Sequence, residues 1–464
     1  MNVNMEWGRG LKPDVSVFRR CELVIGGERV EYRAYEGLPY VERPLSGETH
    51  RLNLYVPEPY FHGGQIEGFT AETAPFFMPN SVGGYMPGEV ESPGTGRQGR
   101  PKNTLFEALR RGCVVVSPAV RGRTSQDGQG RYIGKAPACI VDLKAAVRWL
   151  RHNRGRFPGD SERIITNGTS AGGALSALLG ATGNHVDYEP YLRTLGAVEE
   201  RDDVFAASCY CPITALDHAD MAQEWQFSGI DEYTSYARDL PTGGLTEKQR
   251  HCARELKEAF PAYINSLELK GPDGAPLTLD DTGNGTFRDY AAGFVLDSAQ
   301  RELDRAVELS AFPWVKVEGG RATTLDFTGQ AEHAGRVKPA PGFDRLDLSS
   351  PENELFGTET VNARHFTSYG LAHSEVNGTM AETAVIRMMD PLAYLGEPGS
   401  TTARHWRIRH GTRDSSLGIQ VLLEAKLRNM GHDVDFFMPW EVTHDGDYDL
   451  DDLFAWVRKI VLEP

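Results

Sequence analysis

The chain has 464 residues, 25% of them charged and 40% hydrophobic, which is the composition of an ordinary globular protein. Its 49 basic and 65 acidic side chains give a formal net charge of −16, which argues against nucleic acid or an anionic membrane as a partner, because both need basic patches. No apolar run is long enough to span a bilayer. The first seven residues lack a basic and an apolar signal region, so we expect a cytoplasmic location.

Cysteine is sparse. The six cysteines are too few for a disulfide framework in a chain of this length. The pair Cys209 and Cys211 does not have the spacing of a zinc site, and no second pair follows it. We therefore expect reduced thiols and no bound metal.

The start of the chain alternates short β-type runs with turns. Residues 21–25 and 28–33 flank Gly26-Gly27, which is the dipeptide of a tight hairpin. Residues 51–56 alternate polar and apolar side chains, as a half-buried strand does. These runs predict an antiparallel edge of a larger sheet.

Strands and helices alternate further along the chain. Strands are predicted over 74–78, 113–117, 163–166 and 204–209, and helices over 104–111, 140–150 and 171–179. Such alternation predicts an α/β fold, with a mainly parallel sheet that carries helices on both faces.

The alternation stops at about residue 212. Residues 212–390 are polar and rich in Gly and Asp, with helical stretches such as 249–260 and 299–309. Strands over 406–410 and 434–438 and helices over 419–430 and 450–461 then complete the α/β pattern. We predict a core made of residues 1–211 and 391–464, with residues 212–390 inserted as a lid.

The pattern Gly-x-Ser-x-Gly occupies residues 168–172, between a predicted strand and a predicted helix. It is typical of a serine held on a strained turn at the top of a sheet. The flanking glycines lack Cβ atoms, so the backbone can turn tightly and a substrate can come close. The pattern and its setting predict that Ser170 is a nucleophile.

A serine hydroxyl needs a base, usually a histidine that a carboxylate orients. In α/β-hydrolases the chain order is Ser, then Asp or Glu, then His. Asp414 and His444 each follow a predicted strand, so both should lie at the carboxyl edge of the sheet, where such sheets bind ligands. They are the candidate acid and base. We interpret His410 and the pair Asp217–His218 as structural.

Acyl transfer also needs donors for an oxyanion. The Ala171 amide, directly after the nucleophile, is one candidate. The amide of Gly83 or Gly84, in the loop after an early strand, is the other, although a Gly-Gly dipeptide is also an ordinary turn marker.

Three stretches carry a resemblance to a known family: FFMPNSVGGY at 76–85, NGTSAGGA at 167–174 and HDGDYD at 444–449. The chain resembles the bacterial tannases of subtype B and their feruloyl-esterase-like relatives over almost its whole length. The resemblance implies an α/β-hydrolase fold with a large inserted lid, and hydrolysis of galloyl esters without a cofactor. It also implies the triad Ser170, Asp414 and His444.

The resemblance implies residues for substrate binding too. Lys338 and Glu352 have the spacing of the lid lysine and glutamate that bind the ring hydroxyls of the acid. Ile213 and Pro351 match the apolar positions that sandwich the ring. The loop after His410 departs from the family pattern, because it is shorter and has Asp414 where the family commonly has two aspartates. One of those two contacts a ring hydroxyl, so preference for gallate is in question here.

The leading interpretation is a serine esterase that acts on small phenolic acid esters and needs neither nucleic acid nor membrane as a partner. A feruloyl esterase or a general carboxylesterase would use the same frame. A serine peptidase fits less well, because the sequence indicates no propeller and no peptide-binding domain. An inactive hydrolase that only binds phenolic ligands is the alternative from another class, and the complete set of Ser, Asp and His argues against it.

Overall fold

The computed structural model describes residues 11–46, 49–96, 100–234 and 242–463. The strands are β1 (Arg19–Ile25), β2 (Glu28–Pro39), β3 (Arg51–Pro57), β4 (Pro75–Pro79), β5 (Val114–Pro118), β6 (Asp160–Thr169), β7 (Ala206–Tyr210), β8 (Glu232–Tyr233), β9 (Gly243–Gly244), β10 (Val315–Glu318), β11 (Arg321–Leu325), β12 (His405–Arg409) and β13 (Asp433–Phe437).

The α-helices are α1 (Thr104–Arg110), α2 (Ala138–His152), α3 (Ala171–Ala181), α4 (Glu189–Leu195), α5 (Leu216–Gln226), α6 (Glu247–Ser266), α7 (Thr286–Asp304), α8 (Phe327–Ala334), α9 (Pro351–Leu355), α10 (Ser368–Ala372), α11 (Thr383–Arg387), α12 (Leu417–Asn429) and α13 (Leu450–Leu462). Short 3-10 helices cover Glu58–His62, Val186–Tyr188 and Pro391–Ala393.

Nine strands form one sheet in the order β1-β2-β3-β5-β4-β6-β7-β12-β13. The first three strands pair antiparallel, and β3 pairs antiparallel with β5. All the remaining pairs, from β5 to β13, are parallel. The predicted fold class is confirmed: the sheet is mostly parallel with an antiparallel edge at the start of the chain, as in α/β-hydrolases.

The central strands of the sheet are buried, and helices cover them. Strands β4, β5, β7 and β12 are buried at every position. Helix α3 is made of small and apolar residues, is buried along its whole length, and packs on β6 and β7. A Cβ atom at Gly180 would come within 2.6 Å of the Trp406 ring, so glycine permits the close approach of this helix to the sheet.

Residues 212–390 contain α5–α11 and two small two-stranded sheets, β8–β9 and β10–β11. Their aromatic side chains Trp225, Phe260, Phe287 and Phe327 belong to the same buried apolar cluster as the sheet. The helix expected over 299–309 lies earlier, in α7, and ends at Asp304. Ala306 then adopts a left-handed conformation, with φ of 62°, which a helix cannot continue.

In the described ranges, no helix is both long enough and apolar enough to cross a membrane.

A buried charge network fixes the loop after β5. The Asp142 carboxylate on α2 lies 3.0 Å from His50 Nε2 and accepts hydrogen bonds from the backbone amide and the guanidinium of Arg121, at 2.6–3.2 Å. Burial by itself raises the pKa of Asp142, but Arg121, His50 and their hydrogen bonds together outweigh it and lower this pKa below its ordinary value. The network thereby holds the backbone of Arg121 against α2.

We expect Asp142→Asn to destabilise the fold by about 3 kcal/mol, because it leaves the buried Arg121 charge without its counterion. Since the pKa of Asp142 is lowered by folding, its contribution to stability is present above the unfolded pKa of about 4 and is lost as the pH falls. Urea unfolding at pH 7 measures the loss. Asp451→Asn is the matched control, because Asp451 also pairs with an arginine but is 87% exposed. Equal midpoints for both variants would contradict the network's role.

Candidate active site

Ser170 sits on a sharp turn between β6, which ends at Thr169, and α3, which begins at Ala171. Its backbone has φ of 60° and ψ of −122°, a region that residues other than glycine rarely adopt. Such strain persists only where the surroundings over-determine it, and it exposes the side chain above the strand. The expected strand, turn and helix are all present.

The turn is possible because two glycines leave space for its backbone. A Cβ atom at Gly168 would lie 2.3 Å from the Gly172 carbonyl oxygen, and one at Gly172 would lie 2.5 Å from Asn80 Oδ1. Both distances are impossible for real atoms, so an alanine at either position would force the turn apart.

The loop after β4 is attached to this turn. Asn80 donates its side-chain amide to the carbonyls of Asn167 and Gly172, at 3.1 and 3.0 Å. The Gly172 amide donates in turn to the Val82 carbonyl at 3.1 Å. These bonds fix the loop of Gly83 next to Ser170. The sequence did not predict this role of Asn80.

The structure brings Ser170, His444 and Asp414 together. His444 Nε2 lies 2.8 Å from Ser170 Oγ, and His444 Nδ1 lies 2.9 and 3.1 Å from the two Asp414 carboxylate oxygens. Asp414 follows β12 and His444 follows β13, at the carboxyl edge of the sheet. This is the geometry of a nucleophile, a base and an orienting acid.

The electrostatics of the triad favour an ionised Asp414 beside a protonated His444. Burial by itself raises the pKa of Asp414, but His444, His410 and the hydrogen bonds to the carboxylate together outweigh it and lower this pKa below its ordinary value. Burial likewise opposes protonation of His444, yet the Asp414 carboxylate raises the pKa of His444 well above its ordinary range. The carboxylate therefore stabilises the imidazolium that forms when the base takes a proton from serine.

His410 and Cys211 lie next to the triad but are not part of it. His410 is buried, and burial lowers its pKa to about 4, so it is neutral at physiological pH. Burial raises the pKa of the Cys211 thiol, whose Sγ lies 4.0 Å from His444 Nε2. Atoms of Cys211, Asp414 and His444 lie within 4.8 Å of one another, which a metal ion could use, but the bonds to Ser170 and Asp414 already occupy both imidazole nitrogens.

The candidate oxyanion donors belong to α3 and to the loop after β4. The Ala171 amide is at the first position of α3, where no earlier turn of the helix offers it an acceptor. Gly83 lines a cavity of about 480 Å³ that also contacts Ser170 and His444. Gly84 has φ of 52°, and its carbonyl accepts a hydrogen bond from Arg123 at 2.9 Å.

The candidate substrate residues all lie in the segment 212–390. Lys338 Nζ is 3.5 Å from Glu352 Oε1, and the two side chains are 24% and 10% exposed. Pro351 is the first residue of α9, directly before Glu352. Ile213 is half-buried against the main apolar cluster, just after β7.

Comparisons with known proteins agree with this geometry. A family model described as BD-FAE matches residues 83–223. Esterase LipQ of Mycobacterium tuberculosis is 27% identical over 175 residues, which are 38% of this chain and 40% of that protein. The chain therefore spans well under half the length of this curated relative.

Solved structures match over nearly the whole chain. Tannin acyl hydrolase from Lactobacillus plantarum is 43% identical, with a TM-score of 0.94, over 97% of this chain and 99% of that one. The tannase of Fusobacterium nucleatum is 42% identical, with a TM-score of 0.93 and the same coverage. The chain belongs to the bacterial tannase family. It is a carboxylic ester hydrolase with the α/β-hydrolase fold. Similar tannin acyl hydrolase structures have been solved with 3,4-dihydroxybenzoate and with ethyl gallate.

Arg123 connects two segments next to the candidate site, and the sequence did not predict this. Its amide donates to the Tyr85 carbonyl at 2.8 Å, and its guanidinium donates to the Gly84 carbonyl. The same guanidinium forms an ion pair with Glu354 on α9. Arg123 thus connects the loop of Gly83 to the helix that carries Glu352. No sequence motif signals this, because the link joins segments more than 200 residues apart.

We expect Asp414→Asn to lower kcat on p-nitrophenyl acetate by about 10⁴-fold, because the amide no longer selects the tautomer of His444 that accepts the serine proton. The neutral imidazole is the active form, so activity rises with pH through the pKa of His444. Without the carboxylate that pKa falls, and the acid limb of the kcat/KM profile should move to lower pH. Ser170→Ala gives the background rate. An acid limb that stays in place would contradict the assigned electrostatics.

We expect Arg123→Gln and Glu354→Gln each to lower kcat on a phenolic ester by about tenfold, because each releases the loop of Gly83 from α9. In the double variant the second change should add little, since both remove the same link. Arg131→Gln, at a 51% exposed arginine on the same loop, is the control. Fully additive losses would show that the two side chains act separately.

Proposed function

We propose that this tannase-family enzyme hydrolyses esters of phenolic acids, of the galloyl type, through an acyl-enzyme on Ser170. The observation that carries the proposal is a buried carboxylate oxygen beside a lysine. Glu352 Oε2 has no hydrogen-bond partner within the described ranges, whereas Oε1 faces Lys338. A buried acceptor of this kind is costly unless a ligand supplies a donor, and a phenolic hydroxyl is such a donor.

The catalytic roles follow from the positions of the side chains. Ser170 Oγ attacks the ester carbonyl while His444 takes its proton, and Asp414 stabilises the imidazolium. The amides of Ala171 and Gly83 bind the oxyanion of the tetrahedral intermediate. His444 then gives the proton to the leaving alcohol. Water, activated by the same histidine, hydrolyses the acyl-enzyme and releases the acid.

The acyl ring is recognised from the side of α9. Lys338 Nζ lies 3.7 Å from the centre of the Phe343 ring, which fixes the ammonium group beside Glu352. A lysine and a carboxylate together bind adjacent ring hydroxyls, one as donor and one as acceptor. Ile213 and Pro351 provide the apolar faces on the two sides of the ring. The relatives solved with 3,4-dihydroxybenzoate and ethyl gallate support a hydroxylated ring as ligand.

Residues 212–390 act as the lid in this proposal, with residues 1–211 and 391–464 as the catalytic core. Gln226 on α5 donates to the Asp414 carbonyl at 3.2 Å and accepts from the Leu417 amide at 3.0 Å. Gln330 on α8 donates to the Thr412 carbonyl at 2.7 Å. The lid is thereby attached to the loop that carries the triad acid, so acyl recognition and catalysis share one rigid support.

A feruloyl or general carboxylesterase is the second candidate. The favouring observation is the short loop of residues 411–416, whose single carboxylate, Asp414, is bonded to His444. It leaves the ring with one carboxylate partner, Glu352. We therefore expect weak discrimination between gallate and protocatechuate esters.

Glu352→Gln tests the proposal against methyl gallate, methyl protocatechuate and methyl benzoate. Weakening a hydrogen bond to a ring hydroxyl lowers the rate for a substrate that carries this hydroxyl. The rate for a substrate without hydroxyls changes little. We expect kcat/KM to fall about 100-fold for methyl gallate and less than about threefold for methyl benzoate.

Glu359→Gln is the matched control, because Glu359 is 58% exposed and pairs with Arg131. Equal losses of kcat/KM on gallate and benzoate esters would show that Glu352 has only a structural role. If the wild type hydrolysed none of the three esters, the proposed function itself would be contradicted.

A further inference from the structure

A buried carboxylate outside the triad, that of Asp220 on α5, holds a loop of the segment 212–390 in place. It accepts hydrogen bonds from three consecutive backbone amides, those of Gly342 at 2.6 Å, Phe343 at 2.8 Å and Asp344 at 2.8 Å. Asp220 is 4% exposed, and burial raises its pKa to about 6 although the amides oppose the rise. A charge that is costly to bury needs such bonds, and one short loop provides all three.

The loop of residues 342–344 is in direct contact with Lys338. The ring of Phe343 faces the ammonium group, whose Nζ lies 3.7 Å from the ring centre. A Cβ atom at Gly342 would lie 2.7 Å from Lys338 Cβ, so the stem of the lysine packs against the bare backbone of the loop. Both ends of the lysine side chain therefore contact the loop that Asp220 holds.

Helix α5 also holds the chain on the other side of Lys338. The Glu224 carboxylate accepts two hydrogen bonds from the Arg336 guanidinium, at 2.8 and 2.6 Å, and both side chains are buried. Glu224 is four residues after Asp220, and residues with this spacing lie on one face of a helix. A single face of α5 thus fixes the chain both before and after the lysine.

The same loop is bonded to the helix that carries Glu352. Asp344 Oδ1 accepts a hydrogen bond from the Asn353 side chain at 2.7 Å, and the Arg345 amide donates to Asn353 Oδ1 at 3.0 Å. Asn353 directly follows Glu352 on α9 and is fully buried. The loop that Asp220 holds therefore contacts Lys338 and is bonded to the residue after Glu352.

We propose that Asp220 is a positioning residue for the phenolic acyl group, which holds Lys338 beside Glu352 by binding the backbone of residues 342–344. Groups that bind a substrate must be kept within about 0.5 Å of the productive geometry, and hydrogen bonds from a supporting layer do this. Asp220 acts through the loop, since three amides already occupy its carboxylate. The inference rests on the proposed phenolic ester hydrolysis and adds a residue that controls selection of a hydroxylated ring.

Asp220→Asn tests this role at about pH 8, where the wild-type carboxylate is ionised. Asparagine has one acceptor oxygen in place of two, so the loop loses part of its support. We expect kcat/KM to fall about tenfold for methyl gallate, mainly through KM, and less than about twofold for methyl benzoate, which has no hydroxyl for Lys338 to bind. Asp280→Asn is the matched control, because Asp280 accepts the amides of Thr282 and Asn284 but is exposed.

A double variant separates positioning from a general loss of stability. Because Asp220 acts through Lys338, Asp220→Asn should lower kcat/KM for methyl gallate by less than about twofold in a Lys338→Met background. A further loss of about tenfold in that background would overturn the proposal. Equal losses on methyl gallate and methyl benzoate by a folded Asp220→Asn protein would overturn it too.

Gly342→Ala is the deciding variant if Asp220→Asn shows no cooperative unfolding transition. Its Cβ would displace the lysine stem, so the same selective loss on methyl gallate is expected. Gly293→Ala on α7 is its control, because a Cβ atom there would lie in open space among the described residues. An unchanged ratio of kcat/KM for the two esters in Gly342→Ala would overturn the proposal. A wild type that hydrolyses neither ester would instead contradict the proposed function.

Discussion

The strained turn at Ser170 is the constraint on which the rest of the site depends. A residue with φ of 60° and ψ of −122° at the end of a strand is stable only where neighbouring groups hold it. Here Asn80 and the Gly172 amide bind the turn to the loop after β4. The same bonds that maintain the strain therefore hold the loop of Gly83 beside Ser170. The turn and this loop form one unit, so neither can move without the other.

The position of the turn follows from the sheet beneath it. Helix α3 can lie close to β6 and β7 because its residues are small, and this closeness directs the Ser170 side chain upward from the strand end. The acid and base arrive from β12 and β13, which continue the same parallel sheet. Parallel strands end at one edge, so three residues spread over 274 positions of the chain meet there.

The sequence was informative where periodicity and chain order decide structure. Apolar runs predicted β4, β5 and β7, and the order Ser170, Asp414, His444 predicted which side chains would meet. It was misleading for α7, because the apolar positions continue past Asp304 while the chain turns left-handed at Ala306. It was silent about Arg123 and Asn80. Their roles depend on partners that are distant in the chain, and a single sequence carries no signal of such pairs.

The proposed acyl-binding pair and the wall of the cavity beside Ser170 differ in burial. Lys338 and Glu352 are a donor and an acceptor in a mostly buried setting, where an unmade hydrogen bond is costly. On the side of the cavity, Arg100, Lys102 and Asp445 remain partly exposed, with 23–29% of each side chain accessible, so water can replace a missing hydroxyl. Under the function proposed above, selectivity for a hydroxylated ring over an unhydroxylated one is therefore concentrated at the buried pair and not at the exposed wall of the cavity.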